Sequence, residues 1–267
     1  MNVPAAMILC GGQGTRLRDV TEILPKPMVP IGNYPIIWHI MKTYAGFGVN
    51  RFILCLGYKR EIFIDYFMNY HAHATDVTIK LGRVPDITYH GVHGEEDWVI
   101  TLADTGEECM TGARVFRAAK YLNPHEDSFF LTYGDGLTNV DMLSLLAAHH
   151  NSNREITVTA VHPSGRFGEM KLGADGIVRG FHEKPQTESG FINGGYMVIR
   201  RSFIERYLTD DPRLILEQEP MRNAAKDGQM NSFEHHGFWQ CMDTSREHKL
   251  LNDLWASGKA PWAEAWS

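Results

Sequence analysis

The sequence predicts an α/β fold: a Rossmann-like, mainly parallel mixed sheet flanked by helices, with a smaller α+β part following it. Three observations predict it. Short, fully apolar runs alternate with amphipathic helical stretches through the first half. A glycine-rich turn follows the first apolar run, and beyond Arg154 short strands come in quick succession. No linker, internal repeat or low-complexity run interrupts the 267 residues, so one domain over 1–267 is expected, with an α/β half at 1–153 and a mixed half at 154–267 sharing the same sheet.

Taken in order, AAMILC is a short buried strand. YPIIWHIMKTYAGFG places Ile36, Ile37, Ile40, Met41 and Tyr44 on one helical face, with Pro35 near its start and Gly46 and Gly48 near its end. RFILCLGY then reads as a strand and KREIFIDYFMNY as a second amphipathic helix. DVTIKL, WVITLADTG and SFFLTYGD are strands, while ARVFRAAKYL and MLSLLAAHH are helices. The stretch from His71 to Asp97, rich in His and Gly, is expected to hold loops or an edge hairpin. In the second half EITVTAVHP, GEMKLG, GIVRGFHEKP and GFINGGYMVI are strands. Helices return at SFIERYL, LEQEPMRNAAKDG and SREHKLLNDLWASGK.

Lys plus Arg number 26 against 32 Asp plus Glu, a net charge of −6. That balance argues against a nucleic-acid or acidic-membrane binder, which needs a broad positive field. The four cysteines, Cys10, Cys55, Cys109 and Cys241, are scattered and read as reduced, mostly buried residues, neither a disulfide frame nor a zinc knuckle. No charged leader precedes a signal-type core and AAMILC is too short to span a bilayer, so a soluble cytoplasmic protein is expected.

In CGGQGTRLRDVTEILPKPM, the glycines clear side chains from a loop so that backbone N–H groups can approach a ligand, and Arg16 and Lys26 suggest an anion. A dinucleotide fingerprint is disfavoured because Leu17 stands where the third glycine belongs. A P-loop is disfavoured because its Gly-Lys-Ser/Thr is missing. The remaining pattern is G-G-x-G-T-R-L from Gly11 to Leu17 with P-K-P from Pro25 to Pro27. In it the chain resembles the sugar-phosphate nucleotidyltransferases, which join a nucleoside triphosphate to a sugar 1-phosphate and release pyrophosphate. The resemblance runs on through LADTGEECMTGAR, LTYGDGL, GRFGEMKL, FHEKP, FINGGYMVI, EQEPM, GFWQCMDT and SGKAPW, nearly the whole chain. MTGAR, INGG, EQEP, GFWQCMDT and GKAPW are most similar to the glucose-1-phosphate cytidylyltransferase branch.

The resemblance implies the nucleotide-diphospho-sugar transferase fold. It implies a nucleotide-binding first half, a second half for sugar phosphate and oligomerisation, and Mg²⁺-dependent transfer of CMP from CTP to a hexose 1-phosphate, with glucose 1-phosphate favoured. It implies that Leu9, Cys10, Gly11, Gly12, Gln13, Gly14 and Thr15 cradle the nucleotide with Gly134, that Arg16 supports the leaving pyrophosphate, and that Lys26 lies against the α-phosphate. Arg offers a planar fork of donors and Lys a compact charge, which suits those tasks. Asp135, after the apolar strand SFFLTYG, stands where open α/β sheets place ligands, and a carboxylate there can hold Mg²⁺. Asp243 is its partner by resemblance. A turn aspartate and a helix N-cap are the alternative readings of the two.

Glu183 and Lys184, in FHEKP, would hold the sugar hydroxyls and its phosphate; a surface pair before a turn proline is the alternative. Asn193, Gly194, Gly195 and Gly168 would contact the hexose, with a strand bulge as the alternative for the glycines. Thr111, Gly112 and Arg114 are the expected pyrimidine-reading edge, although composition and spacing alone do not separate cytosine from uracil. The chain departs from the family at Gly32-Asn33-Tyr34-Pro35-Ile36 and at Leu24, and Asn33 is expected to keep the turn because Asn tolerates positive φ. His71, His73, His149, His150, His235 and His236 lack zinc-site spacing, and His149 and His150 suit a helix C-terminus as cations. A homo-oligomer is expected, with the Trp-bearing tail LLNDLWASGKAPWAEAW packing against a partner. Two other readings stay open: the same chemistry on another base or acceptor, and a non-catalytic nucleotide-sugar sensor.

Overall fold

Ala6–Leu9 (β1) is apolar at every position, and both of its faces are covered. Met7 and Leu9 join one core cluster with Ile53, Phe129 and Leu131, while Ala6 and Ile8 join another with Phe52, Leu54 and Phe130. A strand buried on both sides belongs inside a parallel sheet layered by helices. The computed structural model describes residues 3–12, 23–162, 169–172, 178–182 and 190–266.

The other strands of this sheet are β2 (Arg51–Leu56), β3 (Val99–Asp104), β4 (Ser128–Tyr133), β6 (Ile156–Val161), β7 (Ile192–Arg200) and β8 (Met230–His235). Between β4 and β6 comes the short β5 (Gly136–Thr138), and β9 (Trp239–Cys241) follows β8. The seven-stranded order is β3-β2-β1-β4-β7-β6-β8, and among its pairings only those made by β7 with β4 and β6 are antiparallel. The chain runs outward from β1 through β2 to β3, then crosses back to lay β4 on the other side of β1. Such a reversal opens a crevice beyond the carboxyl ends of the two strands.

Helices α1 (Ile36–Ala45), α2 (Arg60–Met68), α3 (Thr111–Ala118), α4 (Met142–Ser152), α5 (Arg201–Tyr207), α6 (Glu219–Lys226) and α7 (Ser245–Ala256) occupy the expected segments. The stretch around His71 to Asp97 holds a short helix, Tyr70–Ala74, and a hairpin that pairs Asp76–Lys80 with Asp86–His90. GEMKLG and GIVRGFHEKP supply a separate antiparallel pair, Glu169–Leu172 with Val178–His182, and not strands of the shared sheet. In the turn before α1 the positive φ falls on Gly32, at 61°, and not on Asn33.

The tail folds back on its own chain. Trp262 is fully buried in its own chain. Its indole N–H donates to His39 Nδ1 at 3.3 Å, and Trp255 and Trp266 pack their rings against His39. Packing on α1 thus covers Trp262 fully, while Trp255 and Trp266 stay half-buried and Leu250 of the same tail stays exposed.

His149 corrects an expectation. It sits fully buried near the end of α4, with Nδ1 3.0 Å from the Thr157 hydroxyl, and burial pushes its imidazole down to about 4. It is neutral at pH 7 and gives no cation to the helix terminus. Burial also pushes His39 down to about 4. A base whose folded pKa lies below its unfolded value near 6.5 binds more protons when unfolded. Its contribution to stability is therefore complete above about pH 6.5, shrinks as pH falls, and is gone below about 4. Urea midpoints are expected to fall steeply from pH 7 to pH 4.5, and His39→Gln to flatten the profile; a wild-type profile level across that range would refute this.

Candidate active site

The crevice between β1 and β4 holds a cavity of about 360 Å³, lined by Leu9, Cys10, Gly11, Gly12, Lys26, Pro27, Cys109, Met110, Thr111, Arg114, Tyr133, Gly134, Asp135 and Asp243. Nearly all the expected nucleotide residues that fall among the described ones meet there. Gln13, Gly14, Thr15, Arg16, Gly168, Glu183 and Lys184 lie outside the described residues.

Lys26 opens a 3₁₀ turn, Lys26–Met28, with Pro25 fixed in extended backbone before it. This turn packs closely over the end of β4, where a Cβ on Gly134 would lie 2.7 Å from Pro27 Cγ and 3.1 Å from the Leu9 carbonyl oxygen. Only glycine permits that approach. The result aims Lys26 between two carboxylates: Nζ donates to Asp135 Oδ2 at 2.6 Å and to Asp243 Oδ1 at 2.5 Å. Burial alone would lower the ammonium pKa, but Asp135 and Asp243 outweigh it and hold the lysine above its ordinary value.

The two aspartates are brought together by backbone pairing. β5 and β9 run antiparallel with Gly136 opposite Cys241, and the Met242 N–H donates to the Asp135 carbonyl at 2.8 Å. Thr244, not Asp243, is the N-cap of α7: its hydroxyl oxygen accepts the Glu247 N–H at 3.3 Å. Glu247 Oε2 in return accepts the backbone N–H groups of Asp243 at 2.7 Å and Thr244 at 2.9 Å. The capping reading of Asp243 is thus replaced, and its carboxylate is turned toward Lys26. Two carboxylates converging on one cation are a donor set that suits Mg²⁺, which takes oxygen ligands and keeps waters and phosphate oxygens for the rest. Among the described residues no group of three or more His, Cys, Asp or Glu is arranged to hold a metal.

Arg114 lines the cavity, but its guanidinium is engaged by the protein. Nη1 donates to the Leu56 carbonyl, the Thr105 hydroxyl and the Gly106 carbonyl at 3.1, 2.9 and 2.8 Å. Nη2 donates to the carbonyls of Gly11 and Glu107, both at 3.0 Å. The side chain thereby ties the glycine loop to the loop after β3. Thr111 and Gly112 begin α3, and the Gly112 N–H donates to the Leu214 carbonyl at 2.9 Å.

A smaller cavity of about 50 Å³ adjoins the first through Tyr133 and Asp135 and is lined also by Asn193, Gly194, Gly195, Tyr196, Trp239 and Cys241. Pairing of β6 with β7 shifts register here, so the bulge reading of the glycines holds. Gly195 has φ 79°, and a Cβ on it would lie 2.6 Å from the Tyr133 ring. Asn193 Oδ1 accepts the Gly195 N–H at 2.8 Å. The bulge forms one wall of this cavity.

Sequence reasoning missed Tyr133 and Glu217. The Tyr133 hydroxyl donates to Glu217 Oε1, and Glu217 Oε2 accepts from the Thr111 hydroxyl at 2.7 Å. The EQEP motif contained the signal, but a glutamate at the start of a helix reads as solvated. Cys10, Cys55 and Cys241 are poor nucleophiles: burial raises all three, Cys55 and Cys241 to about 12. No helix among the described residues is long and apolar enough to cross a membrane.

The chain is 44% identical over 257 residues to the glucose-1-phosphate cytidylyltransferase of Salmonella typhimurium, covering 96% of this chain and 98% of that one. It is 28% identical over 258 residues to the mannose-1-phosphate guanyltransferase of Schizosaccharomyces pombe, covering 94% of this chain and 64% of that one. Among solved structures, HddC from Yersinia pseudotuberculosis complexed with GMP-PN superposes with a TM-score of 0.67 at 21% identity, covering 95% of this chain and 100% of that one. At that identity the likeness speaks for the fold alone. A nucleotidyl transferase model matches residues 5–244, a span that reaches from β1 through both aspartates to the cap of α7, and the chain belongs to that family.

Proposed function

We propose that the protein transfers CMP from CTP to glucose 1-phosphate, releasing pyrophosphate and forming CDP-glucose. One observation carries the reading: a buried lysine and two carboxylates from distant segments meet in a cavity at the carboxyl ends of β1 and β4. The relative at 44% identity is named for this reaction, whereas identity falls to 28% for one that is named for a different base and sugar.

In this reaction a phosphate oxygen of the sugar phosphate attacks the α-phosphorus in line and pyrophosphate leaves opposite, so the protein needs no nucleophile of its own. It has to bring two anions together and offset their repulsion. A Cβ built on Gly12 would meet nothing within 4 Å, so the space over the loop is open to the phosphates. Lys26 turns from the aspartates to the α-phosphate once substrate is bound. Asp135 and Asp243 would hold Mg²⁺, which when bound would neutralise phosphate charge. Asn193 and the Gly194–Gly195 bulge contact the hexose, and Tyr133 separates the two subsites. Thr111, Gly112 and the Arg114-braced loop enclose the base.

Assembly into a homo-oligomer belongs to the same reading. The exposed apolar residues Ile79, Ile87 and Tyr89 of the hairpin and Leu250 of the tail are candidate surface for it.

Incubating the protein with Mg²⁺, glucose 1-phosphate and each nucleoside triphosphate in turn tests the proposal. CDP-glucose, identified by mass, is the expected main product. Faster turnover of another nucleotide would reassign the base, and no pyrophosphate from any of them would leave a sensing role.

A further inference from the structure

Glu217 joins two side chains that line the larger cavity, Thr111 and Tyr133. A hydroxyl has one proton to give and two lone pairs to receive with. The Thr111 proton goes to Glu217 Oε2 at 2.7 Å, and one lone pair receives the Leu216 N–H at 2.9 Å. Glu217 receives hydroxyls on both of its oxygens, from Thr111 and from Tyr133, and so keeps the threonine in its donor role toward it. Toward the cavity Thr111 can offer one remaining lone pair and nothing else.

We propose that Glu217 is a specificity-determining positioning residue: by fixing the Thr111 hydroxyl as an acceptor it favours a pyrimidine whose edge carries an amino group over one that carries a carbonyl at the same place. The inference rests on the cytidylyl reading of the site. Cytosine N4–H matches the lone pair. Uracil O4 sets acceptor against acceptor, and neither group can turn to relieve it. An unmatched buried polar group of this kind is worth roughly tenfold to a hundredfold in discrimination.

The test is kcat/KM for CTP and for UTP, each with glucose 1-phosphate, in the full-length protein and in Glu217→Gln, Thr111→Val and Thr111→Ser. The Gln amide can donate to Thr111 and turn its hydroxyl toward the cavity as a donor, so the CTP/UTP ratio is expected to fall by about tenfold or more. Thr111→Val removes the acceptor and is expected to lower the ratio similarly, while Thr111→Ser keeps it near wild type. A merely structural role for Glu217 would slow both nucleotides alike. A ratio within about twofold of wild type in both Glu217→Gln and Thr111→Val overturns the proposal, and if Glu217→Gln does not fold, Thr111→Val decides alone. A wild-type enzyme with no preference for CTP would instead show that the cytidylyl reading had failed.

Discussion

Asp135→Asn and Asp243→Asn are each expected to lower turnover by about 10³-fold, the scale on which removing a single electrostatic group from a preorganised site acts. Asparagine keeps the shape of aspartate and removes its charge. Lys26 then has one anionic partner in place of two, and the site loses half of its capacity to hold a divalent cation against phosphate oxygens. Neither carboxylate belongs to the core: their side chains are 33% and 21% exposed. The backbone contacts that place them, Met242 N–H to Asp135 and the capping box at Thr244, do not use the carboxylates. The variants should therefore melt within a few degrees of wild type while pyrophosphate release collapses, and Mg²⁺ titration by calorimetry should show weakened binding. Near-normal release from both variants would remove them from the chemistry.

The parts of this site were legible in the sequence to different degrees, for physical reasons. β1 could be read because a run apolar at every position has to be covered on both faces, and the glycine loop because few other uses bring glycines and cations together. Asp135 could be placed at a strand end by the apolar run before it. That Asp243 would share its cation, 217 residues from Lys26, followed from no periodicity. It depends on the β5–β9 pairing, which no local pattern announces, and the family resemblance alone suggested it. β8 was missed because MNSFEH alternates weakly and sits at the sheet edge, where one side needs no apolar cover. Burial overrode composition at His149. A histidine near a helix end looks like a cation until tertiary packing covers it.

Trp262→Ala is expected to destabilise the protein by about 3–5 kcal/mol, the usual range for deleting a buried aromatic from a core. Trp262 is fully buried against His39 and Phe238, and the tail carrying it closes over α1. Removing the indole also strips His39 Nδ1 of its donor, in a place where burial already keeps that ring neutral. The loss reaches toward the site. His39 Nε2–H donates to the Ile31 carbonyl at 2.9 Å, and Ile31 lies a few residues beyond the Lys26 turn. The thermal midpoint should fall on the order of 10 °C, and Lys26-dependent turnover should decline at temperatures where the fold still persists. Trp262→Phe retains most of the packing and loses the N–H, so its cost should be about 1 kcal/mol, separating ring from hydrogen bond. A midpoint unchanged in Trp262→Ala would mean that the tail decorates α1 without supporting it, and the Lys26 turn would then owe its position to the Pro25–Pro27 segment and α7 alone.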